Sequence, residues 1–214
     1  HMPHLFKPQR RIANEDLPST TEKLDILQWA VEWLTEQGYV FIGMDHFAKP
    51  TDELALALEQ GRLQRNFQCY STYADCDLIG LGVSAIGKVG GHYCQNAKTI
   101  EEYADALAQG ELPIVRGMVL SRDDLLRRAI IMAIMCQGRL DFGAVGVAWL
   151  LNFREVFADE LARLRELEAD GLLSFDDDGF SLTAQGWLMV RAVAMVFDKY
   201  CQSDLLRARY SKII

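Results

Sequence analysis

Residues 80–91 read GLGVSAIGKVGG, and from Gly82 to Lys88 they carry the spacing G-x-x-x-x-G-K. In a phosphate-cradling loop, backbone N–H groups wrap the phosphates and the lysine reaches the terminal ones. The next residue, Ser or Thr, then holds magnesium at the start of a helix. Here that residue is Val89, which offers no oxygen to a metal. Gly90 and Gly91 follow, a poor opening for a helix whose N-terminus must bind an anion. The nucleotide-binding fold is therefore set aside, and the stretch takes its meaning from its surroundings.

The chain has 214 residues, half of them hydrophobic and a quarter charged. That is enough for one large domain or two small ones with a real core. No apolar run approaches the roughly 20 residues that span a bilayer, and no secretory signal opens the chain. His1-Met2 reads as a cloning remnant, with the native start elsewhere. The net charge of −8 argues against a general binder of nucleic acid or anionic membrane. Cys69, Cys76, Cys94, Cys136 and Cys201 are scattered and form no C-x-x-C. Neither a zinc site nor a disulfide framework follows, no metal site is assigned, and free thiols fit a cytoplasmic location.

The first half alternates α and β signals. STTEKLDILQWAVEWLTEQG opens with a capping box, Ser19 to Glu22, and closes on Gly38. YVFIGM is short and apolar, as a strand buried on both faces would be. A short helix is expected in TDELALALEQG, strands around Phe67–Tyr70 and Asp77–Ile86, and a helix in IEEYADALAQG behind Thr99. The second half reads as helices in LSRDDLLRRAIIMAIMCQG, GAVGVAWLLN and FREVFADELARLRELEADG. A hairpin follows at LLSFDDDGFSL, then a closing helix from Thr183 to about Tyr200. This order is that of a winged helix. Residues 153–182, however, carry three basic residues against nine acidic ones. Phosphate neutralisation needs the opposite sign, so the module is expected to pack on protein.

GYVFIGMDHFAKPTDELA, RNFQCYSTYADCDLIGLGVSAIG, YCQNAKTIEEY, LDFGAVGVAWLLNFREVF and LRELEADGLL…VRAVAMVFDKY together resemble one family. It is the bacterial oxygen-independent coproporphyrinogen III oxidases of haem biosynthesis, radical S-adenosylmethionine enzymes. The similarity runs from Phe6 to Ile214. It implies a [4Fe–4S] cluster held by C-x-x-x-C-x-x-C, which cleaves S-adenosylmethionine to a 5′-deoxyadenosyl radical. Two propionates of coproporphyrinogen III are then converted to vinyl groups. This sequence holds no such cysteine motif, so it is expected to be the C-terminal part of a longer enzyme and inactive alone.

The implied fold is α/β followed by an α-rich, winged-helix-like C-terminal domain. Residues 1–50 would be the last elements of a partial barrel and 51–120 a small α+β extension on the substrate and cofactor side. Residues 121–202 would be the winged-helix-like domain and 203–214 a tail, whose basic, amphiphilic sequence suits a final turn docking on the core. A truncated barrel edge would favour self-association.

The resemblance places Ile86, Phe67 and Gln68 against S-adenosylmethionine, and no catalytic residue in this chain. Phenylalanine can cover an adenine or methionine face, and a glutamine amide both donates and accepts. Each has an ordinary structural reading as well. Gly80, Gly82 and Gly87 either admit a ligand or relieve crowding in a bent strand. Cys69 stands where the family pattern has glycine. Arg62 and Arg65 could pair with substrate carboxylates or be solvated. Asp45 and His46 could be a functional pair or a structural turn. An alternative is a haem-carrying relative with His46, His92 or a cysteine as axial ligand.

Overall fold

A computed structural model describes Pro3, residues 6–73 and residues 76–200. The expected tail, Cys201, His1 and His4 lie outside the described residues.

Ser19 begins the chain's first α-helix as read: its side chain accepts from Glu22 N, and Glu22 answers to the Ser19 N–H. Helix α1 (Thr20–Glu36) is amphipathic, yet none of its residues is buried, and Ile26, Trp29 and Trp33 stay exposed. The strand that follows, β1 (Val40–Gly43), does not enter a parallel sheet among the described residues. It turns through Met44 and Asp45 and pairs antiparallel with β2 (His46–Ala48). Only Ile42 and Gly43 of β1 are buried, so the expectation of a strand covered on both faces is not met.

Helix α2 (Glu53–Glu59) is capped by Asp52. It leads to a hairpin of β3 (Gln64–Asn66) and β4 (Cys69–Ser71). Phe67 and Gln68 form the turn of this hairpin rather than a strand. Residues 77–85 make one isolated bridge, Leu78 to Lys88, and β5 starts only at Ile86 (Ile86–Val89). It pairs with β6 (His92–Asn96) across the two-residue turn Gly90-Gly91, with Gly90 at φ +52°, a conformation glycine adopts freely. The lysine of the phosphate-loop string thus sits mid-strand, with no helix after it. Helix α3 (Ile100–Ala108), capped by Thr99, precedes β7 (Ile114–Val119), which completes the three-stranded sheet β5-β6-β7.

Helix α4 (Arg122–Gln137) has a capping box from Ser121 to Asp124. Then come β8 (Arg139–Asp141), α5 (Phe142–Trp149), α6 (Phe153–Val156) and α7 (Ala158–Ala169). Next are β9 (Leu173–Phe175), β10 (Gly179–Leu182), α8 (Ala184–Leu188) and α9 (Val190–Met195). The sequence reads two long helices where the structure has two broken ones, interrupted at Phe157 and Met189, which leave helical geometry. The expected hairpin is present. Asp176 Oδ1 accepts from the N–H groups of Asp178 and Gly179, and β10 lies between β8 and β9.

One core joins the two halves. Ile42, Ala57, Leu63 and Tyr70 from the first pack with Ile130, Ile134, Leu164, Phe180 and Phe197 from the second. The Tyr70 hydroxyl donates to the buried Met135 carbonyl at 3.2 Å. Phe142 and Phe153 stack at 4.4 Å. Among the described residues no helix is long and apolar enough to cross a membrane.

Packing is tightest where α8 meets the chain before β9: a Cβ on Gly186 would overlap the Leu172 carbonyl oxygen. Gly186→Ala should therefore cost on the order of 2 kcal/mol or more. Gly91→Ala, with nothing within 4 Å, serves as the comparison. Denaturant midpoints measure both, and equal midpoints would contradict this packing.

Candidate functional site

Helix α4 divides its residues between two stripes. Leu126, Ile130 and Ile134 recur every fourth residue and are buried. Arg128, Ile131, Met132 and Met135, at positions i, i+3, i+4 and i+7, share another face and line a cavity of about 490 Å³. The hairpin β3–β4 contributes Arg65, Asn66 and Phe67. The sheet contributes Lys88, Tyr93 and Met118, one from each strand and in register. Helix α9 and the residues after it contribute Arg191 and Lys199, among others. A neighbouring cavity of about 730 Å³ shares Arg65, Lys88, Arg128 and Met132 as its wall.

The cations here fall into two groups. Arg127 donates to Asp123, to Glu160 Oε1 at 2.8 Å and to the Phe197 carbonyl. Lys199 Nζ lies 2.7 Å from both Asp123 Oδ2 and Asp124 Oδ1. Those charges tie residues 197–200 to α4. Arg65, Lys88, Arg128 and Arg191 have no carboxylate partner among the described residues. Arg65 instead reaches Met44 Sδ and faces the Tyr70 ring. Arg128 lies beside the Tyr93 hydroxyl, which burial pushes up and the guanidinium draws back down.

The sequence-named residues are partly gathered. Phe67 meets Tyr93 edge-on, centroids 5.2 Å apart, at the cavity wall. Gln68 is exposed in the turn, its N–H donating to Asn66 Oδ1. Ile86 lies two residues before Lys88 on the same strand and so on the same sheet face. Neither Gln68 nor Ile86 lines the two cavities described. Gly80 and Gly87 are crowded by the chain itself: added Cβ atoms would lie 3.0 Å from Ala85 Cβ and 2.9 Å from the Leu78 carbonyl oxygen. Crowding thus explains these two. Gly82 is explained by its backbone, which sits at φ +95°, a conformation glycine adopts freely.

Arg62 is exposed and hydrogen-bonded to Gln60, so of the arginine pair only Arg65 joins the cavity. His46 lies between Asp45 and Cys69, and His92 is exposed. Sequence reasoning missed Lys88, Arg128 and Arg191 as cavity residues. The signal for Arg128 was an arginine pair set into the apolar run LLRRAIIMAIM.

A radical S-adenosylmethionine enzyme would need two groups here. The fit differs between them. Gln95 Oε1 is buried without a hydrogen-bond partner among the described residues, and Gln95 is the register partner of Ile86. An unused acceptor beside an apolar side chain suits a ligand carrying N–H or O–H donors and apolar surface. An iron–sulfur cluster finds no such fit, because no group of three metal-ligating side chains exists among the described residues.

Residues 120–189 match the family model of the HemN C-terminal domain, the class that this helix-and-hairpin unit defines. Across its full length the chain is 46% identical to the oxygen-independent coproporphyrinogen III oxidase of Salmonella typhimurium and 47% identical to that of Pseudomonas aeruginosa. It covers 47% and 46% of those proteins. The solved structure of coproporphyrinogen III oxidase (HemN) from Escherichia coli, described as a radical SAM enzyme, superposes with a TM-score of 0.87 at 46% identity. That superposition covers 94% of this chain and 46% of the other. Over its full length the chain is similar to the C-terminal part of the oxygen-independent coproporphyrinogen III oxidases. It spans about half the length of the curated relatives it matches. Their names favour the oxidase reading over that of a haem carrier.

The ion network bordering the cavity should be sensitive to acid. Hydrogen bonds from Lys199, helped by Arg127, hold Asp123 below the usual carboxylate range. Desolvation works against Asp124, but Lys199, Ser121 and Tyr200 still hold it well below that range. Lys199 is held above its ordinary value by Asp123 and then Asp124. Depressed carboxylates stabilise above about pH 4 and lose that contribution as pH falls through their folded values. The raised lysine contribution is present through neutral pH and is lost only as pH rises through its own folded value. Denaturant midpoints should fall between about pH 4 and 2 in the unaltered protein, and fall less in Asp124→Asn. Parallel pH curves would refute the network.

Proposed function

We propose that this chain forms the substrate-facing, C-terminal portion of an enzyme that oxidatively decarboxylates two propionates of coproporphyrinogen III, giving protoporphyrinogen IX. The observation that carries the proposal is the set of cations, Arg65, Lys88, Arg128 and Arg191, that line one cavity and have no carboxylate partner among the described residues. Unpaired charge near an apolar wall is costly, and this chain is acidic overall, with a net charge of −8. Carboxylates on the ligand offset that cost. An arginine fork takes a propionate through two charge-assisted hydrogen bonds. Lys88 adds a compact charge, while Ile131, Met132 and Met135 offer apolar surface to the macrocycle.

S-adenosylmethionine and a [4Fe–4S] cluster would supply the one-electron chemistry of such an enzyme. Toward the former, Ile86 would present apolar contact, Phe67 an aromatic face, Gln68 an amide and Gln95 Oε1 an acceptor unused among the described residues. The cluster is assigned to no residue of this chain. Helix α1 and β1 fit the end of a partial barrel over residues 1–50, and residues 51–120 fit a substrate- and cofactor-side extension. From α4 onward, the order helix, strand, three helical segments and hairpin supports a winged-helix-like module over residues 121–202. Its acidic surface suits a protein-facing cap rather than a nucleic-acid reader.

The test is steady-state kinetics of the full-length enzyme. Arg65→Gln and Arg128→Gln should each raise KM for coproporphyrinogen III about ten- to a hundredfold, with kcat changed much less. Arg62→Gln, outside the cavity, should leave both near normal. Unchanged KM in both cavity variants would overturn the assignment.

A further inference from the structure

Cys69, His46 and Asp45 form a cluster that borders neither cavity. Cys69 Sγ lies 2.8 Å from His46 Nε2. Across the ring, Nδ1 lies 2.8 Å from Asp45 Oδ1, close enough for ionic attraction but out of line for a hydrogen bond. The imidazole is 31% exposed and the carboxylate 82%, so solvent reaches the group. Tyr70 meets the His46 ring edge-on at 5.3 Å and limits its rotation. The backbone adds an independent observation. Cys69 sits at φ +123°, where L side chains are strained, and such strain persists where surrounding contacts enforce it. A base on the thiol and a carboxylate behind the base is the arrangement that activates nucleophilic sulfur.

We propose that Cys69 is a peroxide-reactive modification site activated by His46 and Asp45. His46 Nε2 accepts the thiol proton, giving a thiolate beside an imidazolium that the Asp45 carboxylate stabilises. The sulfur attacks one oxygen of hydrogen peroxide; an S–O bond forms as the O–O bond breaks. Sulfur is oxidised by two electrons to the sulfenic acid, and the departing hydroxide takes the imidazolium proton to leave water. Two equivalents of a small thiol restore the cysteine through a mixed disulfide. The other charged and titratable groups nearby are Arg65 and Tyr70. Cys136 is the inert counterpart, buried in the core with its thiol pushed up to about 12 by burial.

The proposal is independent of the substrate and cofactor reading, because its measurement needs no turnover. The reduced protein is treated with limiting hydrogen peroxide, sulfenic acid is trapped with dimedone, and each cysteine peptide is quantified by mass spectrometry. Cys69 should label at least about tenfold faster than the exposed Cys76. His46→Gln should remove at least about tenfold of that rate while leaving Cys76 unchanged. New labelling of Cys136 would reveal an unfolded variant. In that case Asp45→Asn, at a mostly exposed carboxylate, decides by slowing Cys69 without exposing Cys136. Cys69 reacting no faster than Cys76, or at the same rate in both folded variants, would overturn the proposal.

Discussion

Unpaired positive charge around one cavity is the constraint that orders the site. Helix α4 is where it is met. One stripe of this helix, Leu126, Ile130 and Ile134, is buried in the common core, which fixes the helix in rotation and depth. Arg128 is then obliged to face the cavity, while Arg127, one position earlier, turns to Asp123 and Glu160. Adjacent arginines on a helix diverge by about 100°, so a single helix supplies one cation that is neutralised and structural and one that is not. The hairpin and the three-stranded sheet bring Arg65 and Lys88 to the same wall.

The ion network on α4 complements this. Lys199 and Arg127 are satisfied by Asp123, Asp124 and Glu160, so residues 197–200 are held along the helix. Arg65, Lys88, Arg128 and Arg191 lack that option among the described residues. A chain with a net charge of −8 has acidic side chains to spare, yet none of those among the described residues approaches them within ion-pairing distance. The separation of paired from unpaired cations sets the cavity wall apart from the structural salt-bridge cluster.

Much of the helical fold was legible because the signals are local. Ser19–Glu22, Thr99 and Ser121 cap their helices as read, and the Asp-rich turn before Gly179 joins two strands. What escaped depends on distant partners. Strand β1 looks like one meant for burial on both faces, but its partner here is β2, three residues away. The strands β6 and β7 are short and mixed in polarity, and only pairing defines them. Amphipathic α1 displays Trp29 and Trp33 to solvent, because no described residue covers them. At the site, the resemblance pointed to Phe67, Gln68 and Ile86, of which Phe67 reaches the cavity. Lys88 was read as part of a failed phosphate loop. Its meeting with Arg128 could not be seen, because the two are 40 residues apart and joined only through tertiary packing. Cys69 stood out as a departure from glycine, and its φ of +123° gives that departure a physical meaning.

The most direct test compares the affinity of the full-length protein for coproporphyrinogen III with that for its tetramethyl ester, which keeps the macrocycle and removes the charge. Esterification should weaken binding by about a hundredfold or more, and Arg65→Gln/Arg128→Gln should close most of that gap. Equal affinity for acid and ester would contradict this.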